Sequence, residues 1–107
     1  MRVTVNGIEL YAEISGEGTP LLLLHGFTGS SRSWDAFVPA WSRLRRVIAV
    51  DLIGHGESGA PENPERYTME RAAEDVAALL DALGADRADV LGYSMGGRVA
   101  LTLAVLK

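Results

Sequence analysis

The stretch that decides the fold is Ala88-Asp89-Val90-Leu91-Gly92-Tyr93-Ser94-Met95-Gly96-Gly97. An apolar segment runs into Gly-x-Ser-x-Gly, and a run of small and apolar residues follows to Leu106. The pattern predicts a buried strand over 88–92, a tight turn at Ser94 and a helix over 95–106. Residues two before and two after the serine are glycines, which removes the side chains that would clash where strand and helix approach closely. Such a turn pushes the Ser94 hydroxyl into the open at a helix N-terminus, where the helix dipole favours developing negative charge. A glycine-rich turn carrying an idle serine is the competing reading, and the flanking strand and helix argue against it.

Working outward, Leu21-Leu22-Leu23-Leu24 is a continuous apolar run between Pro20 and Gly26. It is short for a helix and suits a strand covered on both faces. Arg45–Asp51 reads as a second strand of this kind. Upstream, residues 3–5 and 9–14 read as strands around Asn6-Gly7, a pair that tolerates the positive φ of a tight hairpin. Residues 15–20 and 52–67 read as loops. Ser33 is expected to cap a helix over 34–44, with Trp34, Phe37, Val38 and Trp41 at helical spacing and Pro39 as its weak point. Thr68 opens the clearest helix, its apolar stripe being Met69, Ala72, Ala73, Val76, Ala77, Leu79, Leu80 and Leu83, with Gly84 closing it. After the hairpin, strands and helices alternate, which predicts an α/β fold: parallel strands with helices on both faces.

Composition narrows the function. The 107 residues are 48% hydrophobic, which suits one domain with a core, and they hold 10 basic against 14 acidic residues for a net charge of −4. The acidic balance argues against a nucleic-acid partner and against an anionic membrane surface. The chain has no cysteine, hence no disulfide, thiolate metal site or cysteine nucleophile. His25 and His55 are the only histidines and form no ligand cluster, so no metal is expected. The N-terminus has no apolar signal segment, no run reaches bilayer length, and no dinucleotide or Walker pattern is present. The expectation is a cytoplasmic protein with no membrane partner and no cofactor.

Two further motifs join the serine turn. His25-Gly26-Phe27-Thr28-Gly29 follows the first buried strand, and Asp51-Leu52-Ile53-Gly54-His55-Gly56-Glu57-Ser58 follows the second. In the latter, Asp51 is expected to cap the turn through its carboxylate, a structural role before a substrate-contacting one. In this order and spacing the three motifs resemble the N-terminal part of an α/β-hydrolase, over essentially all 107 residues. Residues 1–107 are accordingly read as the N-terminal part of a single domain of that family, stopping after the helix that follows the serine.

Within the family the chain most resembles the MenH-like lyases, the 2-succinyl-6-hydroxy-2,4-cyclohexadiene-1-carboxylate synthases of menaquinone biosynthesis. The residues that carry this are His25 to Ser30, Trp34 downstream, and Gly92-Tyr93-Ser94-Met95-Gly96-Gly97-Arg98. The resemblance implies proton removal and elimination of pyruvate from a small-molecule carboxylate, by a Ser-His-Asp triad of which this chain holds only Ser94. It assigns the backbone N–H groups of Phe27 and Met95 to the oxyanion hole, and Arg98 and Tyr93 to substrate binding. Arg98 also lies one helical turn after Ser94, where a guanidinium can grip a carboxylate with two hydrogen bonds. The competing reading for Arg98 is a structural ion pair.

The pattern breaks after the serine. No Asp, Glu or His follows Ser94, whereas the family order is Ser, then acid, then His. His25 is a candidate substitute base, but no orienting carboxylate is evident for it. An esterase or C–C hydrolase on the same scaffold and a catalytically inactive fragment therefore stay open. The open sheet edge beside the 88–92 strand also predicts self-association of the isolated chain.

Overall fold

Four consecutive leucines end a strand that has a neighbour on each side, because both faces there are covered. A computed structural model describes residues 1–85 and 87–106. In it Thr19–Leu24 forms β3, flanked in parallel by Arg45–Asp51 (β4) and Asp89–Gly92 (β5). Ile8–Ser15 (β2) pairs antiparallel with β4, and Arg2–Val5 (β1) pairs antiparallel with β2. The order across the sheet is β1-β2-β4-β3-β5. The β1–β2 turn is Asn6-Gly7 with φ of 48° and 84°, as the sequence predicts.

Side chains alternate across this sheet with period two. Leu22, Leu24, Ile48 and Val50 join one core, and Leu23, Val47 and Ala49 join the other. The first core is closed by Met69–Ala82 (α2) through Ala72, Ala73, Val76 and Leu79, and by Met95–Leu106 (α3) through Val99 and Leu103. The second is closed by Trp34, Val38 and Trp41. The result is the α/β arrangement that the alternation implies: a hairpin, then parallel strands with helices on both faces.

Local signals set the ends of α2. The Thr68 hydroxyl accepts the Arg71 N–H at 3.2 Å. At the other end Gly84 takes φ of 69°, its N–H bonds Asp81 O and the Ala85 N–H bonds Leu80 O, the 5→2 and 6→1 pattern of a Schellman stop. Arg45 ties three strands together: it donates to Thr19 O and Pro20 O and pairs with Asp89 at 2.7 Å.

Four expectations are corrected. No continuous helix covers 34–44. A 3-10 turn spans Ser31–Trp34, and a short α1 spans Val38–Trp41. Pro39 falls in the first turn of α1, where a missing N–H costs nothing, so the proline starts a helix in place of breaking one. The cap is Ser30, not Ser33: Ser30 Oγ accepts from Arg32, and Ser33 Oγ accepts from the Ser30 N–H. Residues 52–67 are not all loop, since a 3-10 turn at Pro64–Tyr67 is capped by Asn63. Finally, β5 is not buried. It forms one edge of the sheet, and Val90 and Leu91 are 36% and 41% exposed.

Candidate active site

Adjacent parallel strands deliver two loops to one end of the sheet. Leu24, the last residue of β3, is in register with Gly92, the last residue of β5, so the segments starting at His25 and at Tyr93 emerge side by side. The Tyr93 N–H bonds Leu24 O at 3.0 Å.

Ser94 stands at the turn between β5 and α3 with φ of 54°. A left-handed conformation costs a residue other than glycine on the order of 1–3 kcal/mol, and is kept only where the surroundings enforce it. The surroundings here are backbone. A Cβ on Gly92 would lie 2.4 Å from Gly96 O, and one on Gly96 would lie 2.0 Å from Leu24 O. Both glycines are therefore required by close approach. Ser94 is exposed as a result, at the start of α3.

The second loop meets this turn directly. A Cβ on Gly26 would touch the Tyr93 ring at 2.9 Å. Gly29 N–H closes back on Gly26 O at 3.0 Å, and Thr28 takes φ of 70°. The Phe27 and Met95 N–H groups have no acceptor among the described residues. Free, fixed N–H donors on two adjoining loops are what an oxyanion site needs.

Asp51 holds this end of the sheet in shape. Its buried carboxylate accepts the Ser31 N–H at 2.6 Å and the Glu57 N–H at 2.8 Å, which joins the loops after β3 and β4. Ser58 Oγ donates to Asp51 O and accepts the Tyr11 N–H. This is the structural capping role that the motif suggested.

His25 is fully buried with both ring nitrogens engaged. Nε2 accepts the Leu52 N–H at 3.0 Å, so the proton sits on Nδ1, which donates to Gly26 O at 2.7 Å. Burial pushes its pKa below the ordinary histidine value. A neutral ring with no spare lone pair cannot serve as base for Ser94. His55 Nδ1 lies 2.9 Å from Ile53 O, with its ring 5.0 Å from that of His25 and 5.7 Å from that of Phe27.

The two residues expected to bind substrate fall on different sides of Ser94. Tyr93 lines a cleft of about 490 Å³ with Phe27 and Trp34, while Arg98 and Ser94 line a groove of about 1020 Å³ between α2, β5 and α3. The Arg98 N–H bonds Ser94 O at 3.2 Å. Its guanidinium has no carboxylate within 4.0 Å among the described residues, so the ion-pair reading finds no partner there. Sequence reasoning missed the aromatic cleft, because Trp34 and Phe37 read as one face of a helix. It also missed the strain at Thr28, since a β-branched residue carries no signal for positive φ.

Among the described residues no group of three His, Cys, Asp or Glu side chains is placed to hold a metal ion. None of the described helices is long and apolar enough to cross a membrane.

The model of the alpha/beta hydrolase fold family matches residues 19–107. A putative 2-succinyl-6-hydroxy-2,4-cyclohexadiene-1-carboxylate synthase of Bacillus subtilis is 38% identical, over 98% of this chain and 39% of its own length. The 2-hydroxy-6-oxo-2,4-heptadienoate hydrolase of Pseudomonas putida is 37% identical, over 96% of this chain and 38% of its own. The epoxide hydrolase VrEH1 of Vigna radiata superposes with a TM-score of 0.94 at 36% identity, over 98% of this chain and 34% of that one. The chain thus spans under two fifths of the length of each of these relatives.

Proposed function

This chain belongs to the α/β hydrolase fold family, and on that premise we propose that it is the serine-bearing part of a MenH-type lyase. The reaction removes a proton from a small carboxylate substrate and eliminates pyruvate. Ser94 acts as the triad serine, the Phe27 and Met95 N–H groups hold the oxyanion, and Arg98 and Tyr93 hold the substrate. The observation that carries the reading is the pairing of the strained Ser94 turn with an exposed guanidinium one helical turn on, free of any described carboxylate. A substrate with several carboxylates needs such a cation, and a neutral ester does not. The likeness to the Bacillus subtilis synthase supports it.

Ser94 needs a base, because a serine hydroxyl at its ordinary pKa is a poor nucleophile or proton acceptor. His25 is excluded by its hydrogen bonds, and no acid or histidine follows Ser94. Residues 1–107 alone are therefore expected to be inactive, and catalysis belongs to a full-length protein carrying them.

Arg98→Ala in that protein should lower kcat/KM for pyruvate release roughly 10- to 100-fold, the worth of a hydrogen-bonded charge pair. Arg98→Lys should recover part of it. If Arg98→Ala leaves kcat/KM unchanged, or if the protein cleaves neutral esters or C–C bonds with no dependence on Arg98, the hydrolase reading replaces this one.

A further inference from the structure

His25 cannot be the base, and its hydrogen bonds give it another task. Its ring spans the loops that follow β3 and β4. Nδ1–H donates to Gly26 O in its own loop at 2.7 Å, and Nε2 accepts the Leu52 N–H of the other loop at 3.0 Å. The ring is already fully buried within the described residues. An acceptor nitrogen makes such a joint sensitive to acid, because it can take a proton. A proton on Nε2 would turn the acceptor into a donor, and two N–H groups would face each other inside the fold with no acceptor for either. The link to Leu52 therefore exists only while His25 is neutral.

The loop after β3 depends on such ties. Thr28 is held at φ of 70°, a conformation kept only where the surroundings enforce it. Downstream the loop is tied at Ser31, whose N–H donates to Asp51. Upstream it is tied through His25 and Gly26. Burial disfavours a charged His25, the His55 ring 5.0 Å away adds to this, and the Gly26 carbonyl and Asp51 act the other way. The remaining charged groups of the packed elements are engaged or turned elsewhere. The Asp51 carboxylate holds the Ser31 and Glu57 N–H groups, Glu57 pairs with Arg2, and Arg32 pairs with Asp35. On β5, Asp89 pairs with Arg45. The serine turn meets Gly26 through the Tyr93 ring, and α3 meets His25 O through Gly96, while Arg98 lines the groove on the other side of Ser94.

We propose that His25 is an acid-release latch: neutral, it ties the loop after β3 to the loop after β4, and protonation of Nε2 frees Leu52 and loosens residues 25–29. The latch does not depend on which reaction Ser94 serves. Its effect on catalysis rests on the reading of the Phe27 N–H as an oxyanion donor.

Hydrogen exchange of the 107-residue chain, compared at pH 7.5 and pH 5.0 after correction for intrinsic rates, tests this. An opened ring takes up its proton in the ordinary histidine range, about pH 6.5, and the closed ring only below it. The closed state therefore loses ground as pH falls, by up to about tenfold per pH unit. We expect protection of the Leu52 amide to fall at least about tenfold between the two conditions, and protection of the β4 amides to fall less. His25→Gln, whose amide oxygen can accept from Leu52 without titrating, should abolish the extra fall at Leu52. An equal fall throughout β4, no fall at Leu52, or the same extra fall in His25→Gln would each overturn the proposal. If His25→Gln does not fold, the ring nitrogen chemical shifts of the parent chain decide. A proton on Nδ1 at pH 7.5 and a ring still mostly neutral at about pH 6.5 are expected, and a proton on Nε2 or a half-charged ring at that pH would overturn the latch. A full-length protein that shows the latch but releases no pyruvate would refute the lyase reading and keep this one.

Discussion

Ser94 shows how a single residue can be read from its neighbours. The tight turn was legible because Gly92 and Gly96 flank it, and each has backbone within 2.4 Å of where a Cβ would stand, whereas the left-handed φ of 54° at Ser94 came only with the structure. Gly96→Ala should therefore cost about 3 kcal/mol or more, because its Cβ would meet Leu24 O, and a carbonyl at the end of β3, paired on both sides, cannot move aside. Urea unfolding of the 107-residue chain measures this, and an unchanged midpoint would show the turn to be looser than described. Arg98 was a candidate through the family resemblance, with its spacing after Ser94 as weaker support, but its separation from Tyr93 was not legible. Helical periodicity places a residue along one helix, whereas the two cavities are divided by the strand-to-helix turn. Asp51 was legible as a capping carboxylate from its glycine-rich loop, though its second partner, Ser31, comes from a loop twenty residues earlier.

At the scale of elements, strong local signals were readable and weak ones were not. The capping hydroxyl of Thr68 and the stop at Gly84 fix α2, and both stand in the sequence. The segment 31–41 failed because two short elements share one apolar spacing, and because a proline has opposite meanings in the middle and in the first turn of a helix. The pairing that anchors α2 was also hidden. Asp75 is 2% exposed and accepts from Arg66 at 3.1 Å and from Asn6 Nδ2 at 3.0 Å. It thereby joins the hairpin turn, the 3-10 turn at Pro64–Tyr67 and the helix. Nothing in the spacing of these three residues announces it. Asp75→Ala should cost about 3–5 kcal/mol, since it leaves the Arg66 charge without its partner. Asp89→Ala breaks the ion pair with Arg45 at a largely exposed carboxylate and should cost under about 1 kcal/mol. Chemical denaturation of the two variants tests the ordering, and equal losses would contradict it.

Across the whole molecule, the α/β architecture was legible because both faces of β3 and β4 had to be apolar. The open edge beside β5 was expected too, but the exposure of Val90 and Leu91 was not, since an apolar segment reads as covered on both faces. Val90, Leu91 and Leu101 are all exposed along the groove of about 1020 Å³. An unpaired parallel edge with apolar flanks favours pairing with another chain. The 107-residue chain is expected to self-associate through β5, as sedimentation velocity at tens of micromolar would show, and Val90→Lys should suppress it. A monodisperse monomer would contradict this expectation. The same end of the sheet gathers the serine turn and the loop after β3, and the proposed lyase uses both. Pyruvate release by the full-length protein, measured for the parent and for Ser94→Ala, tests that most directly. Turnover of the cyclohexene carboxylate precursor is expected, with a loss of at least about 1000-fold in kcat on replacing Ser94. Turnover that survives Ser94→Ala, or no pyruvate release by the parent protein, would contradict it.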